Sequence, residues 1–165
     1  MSETRISAHF PHYGEEAPLV PSYTVLFTGC NFRCVYCQNW DIRTMPGNGG
    51  HIPPAELARM IGSRGMVSPG ASSCRGIRNV NWVGGDSIPH LPYILQVLQE
   101  LNLNAPQIWN SNMYMTEEAP TLLDGTMDIY LTDLKYGNDR GAEALSSGAR
   151  YWEVTSETTC RPPGR

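Results

Sequence analysis

The sequence predicts an α/β fold built on a parallel sheet. Short apolar, β-branched runs alternate with segments of helical periodicity about four times, at the spacing of βαβ units. Each run stops at glycines or a polar turn. The composition agrees: the 165 residues are 41% hydrophobic and 17% charged, whereas a folded globular domain averages about 45–50% apolar and about 25% charged. A disordered chain is excluded on this balance.

Tyr23 to Thr28 is the first predicted strand, β-branched and aromatic, ending at Gly29. After glycines at 47, 49 and 50, Pro53 and Pro54 suit a helix start, and Leu57, Met60 and Ile61 recur at helical spacing over Ala55 to Ile61. A Gly- and Ser-rich loop runs from Gly62 to Gly76. Arg78 to Val83 reads as the second strand, stopped by Gly84-Gly85. Leu91 to Leu103 is an amphipathic helix through Leu91, Ile94, Leu95, Leu98 and Leu101. Pro106 to Ser111 is the third strand, and Thr116 is placed to cap a short helix over Glu117 to Pro120. Met127 to Leu134 is the fourth strand, followed by a short helix from Asp139 to Ser147.

Such a series calls for right-handed crossovers, with chemistry gathered at the carboxyl ends of the strands. Four polar segments fall at those ends: the cysteines after Gly29, Gly84-Gly85-Asp86, Asn110-Ser111-Asn112 and Asp133-Leu134-Lys135.

Twelve basic residues against sixteen acidic ones give a net charge of −4, with no basic run. A nucleic-acid partner is therefore excluded on electrostatic grounds. The N-terminus from Met1 to Tyr13 offers no apolar core of the kind a signal peptide needs, and no later run approaches the ~20 apolar residues of a membrane span. The protein is read as cytoplasmic and off the membrane.

Cys30, Cys34 and Cys37 fall within eight residues, out of five cysteines in all. A secreted disulfide framework spreads and pairs its cysteines, so this cluster points to metal or redox chemistry. Three thiolates on one tight loop can reach one inorganic core. A four-iron cluster takes four ligands when fully coordinated, and three leave one iron open to a ligand. The alternative is a zinc site completed by His51, Cys74 or Cys160, although zinc modules pair a second set of ligands that is missing here. Cys74 and Cys160 themselves read as plain thiols.

The spacing CxxxCxxC, with Tyr36 as the aromatic residue before the third cysteine, resembles the signature of the radical S-adenosylmethionine (SAM) enzymes. Gly84-Gly85-Asp86 is similar to that family's segment after the second strand, and Asp133-Leu134-Lys135 to a segment of glycyl-radical activating enzymes, typified by pyruvate formate-lyase activating enzyme. His12 and its neighbours, the stretch from Cys37 to Asp41 and that from Trp109 to Tyr114 resemble an activating-enzyme-like subgroup. The resemblance covers roughly residues 9 to 155.

That resemblance implies a partial parallel (β/α) barrel of the radical SAM type with about four βα units. Residues 1–22 would form an N-terminal extension covering the barrel, 23–155 the core and 156–165 an irregular tail. It implies that Cys30, Cys34 and Cys37 hold a 4Fe-4S cluster that reductively cleaves SAM. Tyr36 would line the adenine pocket, Gly84, Gly85 and Asp86 would meet the amino end of the methionine, and Asn110, Ser111, Asp133 and Lys135 would complete the pocket. Asp133 and Lys135, two apart on a strand, would share a face, and the aspartate would be available to a monovalent cation. No side chain takes a catalytic acid or base role. The implied partners are a reductant such as flavodoxin or ferredoxin and, in the activating branch, a glycyl radical protein. The rival reading is a non-catalytic iron–sulfur or zinc module, a remnant of such an enzyme. A full eightfold barrel runs to about 250 residues, so four units read as a member shortened at its C-terminal side, or one whose missing wall a partner supplies.

Overall fold

The computed structural model describes residues 3–14, 16–67 and 76–160. Among these, five strands make one sheet in the spatial order β1 (Ile6–His12), β2 (Ser22–Phe27), β3 (Asn79–Gly84), β4 (Gln107–Ser111) and β5 (Ile129–Thr132). β2 to β5 pair in parallel, so the fold is α/β with the four expected parallel strands. Six α-helices connect or follow them: α1 (Trp40–Thr44), α2 (Pro54–Gly62), α3 (Leu91–Glu100), α4 (Ala119–Leu123), α5 (Asp139–Ser146) and α6 (Tyr151–Cys160).

The apolar stripes read from the sequence do what their spacing requires. Leu57 and Ile61 of α2, with Ile94 and Val97 of α3, are fully buried against Val25, Trp82 and Trp109 of the sheet. At about 25 cal/mol per Å² of apolar surface, each such side chain contributes ~1.5–3 kcal/mol. Pro54 stands in the first turn of α2, where its missing N–H costs no helical bond.

Four expectations are corrected. First, the N-terminal extension contributes a strand of its own: β1 joins the sheet antiparallel to β2, with Ile6 opposite Phe27 and His12 opposite Ser22. That register puts His12 at the end of β2 away from the cysteines. Pro11 is tolerated because β1 is an edge strand. Second, β5 is shorter than the apolar run around it. Only Ile129–Thr132 pair with β4, one further backbone bond flanks them at each end, from the Asp128 N–H to the Gln107 carbonyl and from the Asp133 N–H to the Ser111 carbonyl (both 2.9 Å), and the chain then leaves the sheet. Third, α4 begins at Ala119 with Glu118 at its N-cap; the Ala119 N–H donates to the Thr116 carbonyl at 3.2 Å, so Thr116 closes the preceding turn through its backbone while its side chain bonds that of Glu118. Fourth, residues 151–160 are helical where an irregular tail was expected from 156. The polar stretch is held by buried hydroxyls: Thr155 Oγ1 donates to the Tyr151 carbonyl and Thr158 Oγ1 to that of Met113, at 2.7 and 2.6 Å. Residues 161–165, and Cys74 within 68–75, lie outside the described residues.

Candidate functional site

The cysteine loop begins where Gly29 turns the chain off the end of β2 in a left-handed conformation (φ +86°) that favours glycine. Two backbone bonds then pin the loop to the end of α5: Arg33 N–H donates to the Ser146 carbonyl (3.0 Å) and Val35 N–H to the Leu145 carbonyl (2.9 Å). A helix leaves its last carbonyls without partners, and here the loop supplies them. Phe32, 1% exposed, anchors the same loop among aromatic rings, 4.9 Å from Tyr114 and 5.7 Å from Tyr151 between centroids. Cys34 is buried in that cluster, and Cys30 and Cys37 are half-buried beside it.

All three cysteines are free thiols. Burial pushes the Cys30 thiol up to about 12, only partly opposed by the Phe32 N–H, and the neighbouring Asp86, Cys34 and Cys37 raise it further. A thiol so placed keeps its proton unless a cation replaces it.

Gly84-Gly85 is shaped by this loop as much as by any ligand. A side chain on Gly85 would place Cβ 1.9 Å from the Gly29 carbonyl oxygen, and one on Gly84 (φ +140°) would meet the Phe27 backbone at 2.3 Å. The two segments are zipped together: Gly85 N–H donates to the Phe27 carbonyl and Asp86 N–H to that of Gly29, both at 3.0 Å. Glycine here permits backbone-to-backbone contact between the end of β3 and the start of the cysteine loop.

Asp86 is buried, and its carboxylate is engaged within the protein. It accepts from Ile88 N–H (3.0 Å), Ser111 Oγ (3.1 Å) and Asn112 N–H (3.0 Å). Burial raises its pKa against the pull of those donors and of Lys135. Ser111 Oγ also accepts from Met113 N–H at 3.0 Å, and Asn112 bridges to the cysteine loop by donating to Asn31 Oδ1 at 2.8 Å. Asp86 and Ser111 thus organise the rim, and what they present to the cavity is chiefly its wall.

Asp133 and Lys135 lie just past β5, so strand alternation does not align them. They meet instead by an ion pair between Lys135 Nζ and Asp133 Oδ2. Burial pulls the Lys135 ammonium down, but the bond to Asp133, with Cys34 and Asp86 beyond, outweighs it, and the net shift is upward. The Lys135 backbone N–H donates to the Tyr151 hydroxyl at 2.7 Å, which fixes this segment to α6.

These elements enclose one cavity of about 320 Å³, within the ~300–1,000 Å³ of small-molecule sites. Its wall brings together every predicted site residue: the three cysteines, Tyr36, Gly84 to Asp86, Asn110, Ser111, Asp133 and Lys135. Gln38, Asn39 and Arg43 also line it. Arg43 is the residue that sequence reasoning missed most plainly. Its Nε is buried with no hydrogen-bond partner at the edge of a ligand-sized space. The only signal was its closeness to the third cysteine, six residues on.

The alternative zinc ligands are elsewhere. His51 sits by Thr4 and Glu3, and Cys160 lines a separate cavity with Glu117 and Glu157. Among the described residues, no three His, Cys, Asp or Glu side chains converge on a point where one metal ion could sit. A four-iron cluster asks for a different arrangement, since its thiolates bind different irons and ring the cluster. Three free thiols around one cavity fit that group.

A parallel α/β sheet carrying three clustered thiols at its carboxyl rim defines a class, and the chain belongs to it: the model of the radical SAM superfamily matches residues 24–158. The chain is 44% identical over 160 residues to the uncharacterized protein MJ0674 of Methanocaldococcus jannaschii, an alignment that covers 93% of this chain and 45% of that relative. It thus spans less than half the length of the curated relative it matches. No helix among the described residues is long and apolar enough to cross a membrane.

Proposed function

We propose that the protein binds a 4Fe-4S cluster through Cys30, Cys34 and Cys37 and reductively cleaves SAM in the adjoining cavity. The observation that carries this reading is the meeting of three free thiols with the ends of β3, β4 and β5 around one ligand-sized space. When bound and reduced, such a cluster supplies one electron to the sulfonium of SAM, releasing methionine and a 5′-deoxyadenosyl radical.

The protein's own part is to hold and orient. Tyr36 offers a half-exposed aromatic face to the adenine. Gly84 and Gly85 line the cavity where the amino end of the methionine would sit. Arg43 supplies a guanidinium with a free donor for the carboxylate, a pairing that favours Arg geometrically. The packing of Phe32, Ala142 and Tyr151 around Cys34 keeps water from that sulfur.

The activating-enzyme branch of the reading rests on Asp133-Leu134-Lys135 and on the exposed Val35, Trp40 and Leu134 beside the lining residues. These suit an extended segment of a glycyl radical protein as the hydrogen donor. The electron would come from a flavodoxin or ferredoxin. A monovalent cation at Asp133 would share the carboxylate with the Lys135 ammonium.

Anaerobic reconstitution tests the proposal. About four iron and four sulfide per chain are expected, with 5′-deoxyadenosine formed on reduction in the presence of SAM. A full cluster that binds SAM and yields no deoxyadenosine leaves only a binding module. Zinc in place of iron in protein purified without oxygen overturns the cluster reading altogether.

A further inference from the structure

The three cysteine sulfurs have different surroundings. Cys30 Sγ accepts from the Phe32 N–H at 3.3 Å, whereas Cys34 Sγ faces a side-chain hydroxyl: Ser146 Oγ, at the end of α5, donates to it at 2.8 Å. Ser146 is 1% exposed and Cys34 6% exposed, so this bond lies in the protein interior. Beyond Ser146 the Tyr136 hydroxyl stands 2.5 Å from Ser146 Oγ, and the Tyr36 hydroxyl donates to that of Tyr136 at 2.7 Å.

The direction of the chain follows from counting protons. Each hydroxyl has one to donate. Ser146 gives its proton to the sulfur, so it accepts from Tyr136, and Tyr136 in turn accepts from Tyr36. Three hydroxyls therefore point one way and end on Cys34. The run passes from the exposed Tyr36 hydroxyl to a buried end at Cys34, and there, in the low-dielectric interior, the bond to the sulfur is strengthened by the Tyr136 hydroxyl behind it.

Resting on the cluster reading above, we infer that Ser146, backed by Tyr136, is a positioning residue that sets the reduction potential of the cluster through the Cys34 sulfur. A hydrogen bond to a ligating sulfur draws negative charge from it and favours the reduced state, one of the recognised controls on iron–sulfur potentials. Tyr36 lines the cavity at the other end of the chain, so the ligand pocket and the sulfur share one run of hydroxyls.

The test is a potentiometric titration of the reconstituted cluster, followed by electron paramagnetic resonance of the reduced state. Ser146→Ala is expected to move the midpoint to more negative potential by about tenfold in the ratio of reduced to oxidised cluster, ~59 mV for one electron. Tyr136→Phe should move it the same way by less, and Ser146→Thr, which keeps a hydroxyl, should restore the wild-type value. A Ser146→Ala midpoint equal to wild type at full iron content overturns the inference, as does failure of Ser146→Thr to restore it. If Ser146→Ala does not fold, Tyr136→Phe carries the comparison: a negative shift supports the inference and an unmoved midpoint overturns it. Wild-type protein that takes up no cluster removes the cluster reading and this inference together, an outcome distinct from an intact cluster whose potential does not respond.

Discussion

Asn112 N–H donates to the Asp86 carboxylate at 3.0 Å, so the turn after β4 hangs from the end of β3 through one buried side chain. Ile88 N–H and Ser111 Oγ complete its partners. Asp86→Ala would leave these donors without their acceptor, and each unpaired buried group costs about 1–3 kcal/mol. Asp86→Asn keeps one acceptor oxygen and should cost less. Urea denaturation of both variants tests this order, and Asp86→Ala as stable as wild type would remove the organising role.

Gly85→Ala should be among the most damaging single-methyl changes in the chain. Its Cβ would lie 1.9 Å from the Gly29 oxygen, so the cysteine loop must move away from β3. Overpacking of this kind costs about 1–3 kcal/mol and sometimes more. Gly47 is the control: a methyl group there would meet nothing within 4 Å, and Gly47→Ala should leave both stability and iron uptake unchanged. Melting temperature and iron content of the two variants decide it.

His90 makes stability depend on pH. Its Nε2–H donates to the Thr28 carbonyl at 2.8 Å, its ring stacks on Phe27 at 4.7 Å, and burial holds its pKa below 6.5. As pH falls, the unfolded chain takes up the proton before the folded one. The contribution is therefore complete above about 6.5 and is lost as pH drops toward the folded value, with a slope of at most about 1.4 kcal/mol per pH unit. His90→Gln should flatten that part of a stability profile measured from about pH 7.5 to 5. An unchanged slope would assign the dependence to other groups.

Arg43→Gln should weaken SAM binding by about 10- to 100-fold, the equivalent of ~1.5–3 kcal/mol for a hydrogen bond to a charged group. Iron content should not change, because the Arg43 side chain lines the cavity without bonding the cysteine loop. Equilibrium binding of SAM to reconstituted protein is the measurement, and wild-type affinity in the variant would take Arg43 out of the pocket's chemistry.

The parts of the molecule that were legible in the sequence are those whose partners are apolar and whose spacing is regular. Val25, Trp82 and Ile108 announce buried strands through their apolar, β-branched and aromatic side chains, whereas the equally buried Thr24, Asn79 and Asn81 in the same strands gave no such signal. β1 was not legible: His9, Pro11 and His12 interrupt its alternation, which an edge strand allows. α6 was hidden for a related reason, since Thr155 and Thr158 are buried through hydrogen bonds to backbone carbonyls and leave no apolar stripe. At the site, the residues could be picked out by their resemblance, but their division of labour could not. That Asp86 and Ser111 face one another, or that Ser146 reaches Cys34, depends on contacts between residues 25 and 112 positions apart.

The attachment of the cysteine loop to α5 has a dynamic consequence. The Arg33 and Val35 amides bond to carbonyls of Ser146 and Leu145, so they become available for exchange with deuterium only when that joint opens. Phe32, Tyr114 and Tyr151 pack across the same boundary. The loop and the two last helices should therefore open as one cooperative unit, while the sheet behind them stays closed. How long the Cys34 sulfur stays out of reach of dissolved oxygen is then governed by a segment more than a hundred residues downstream.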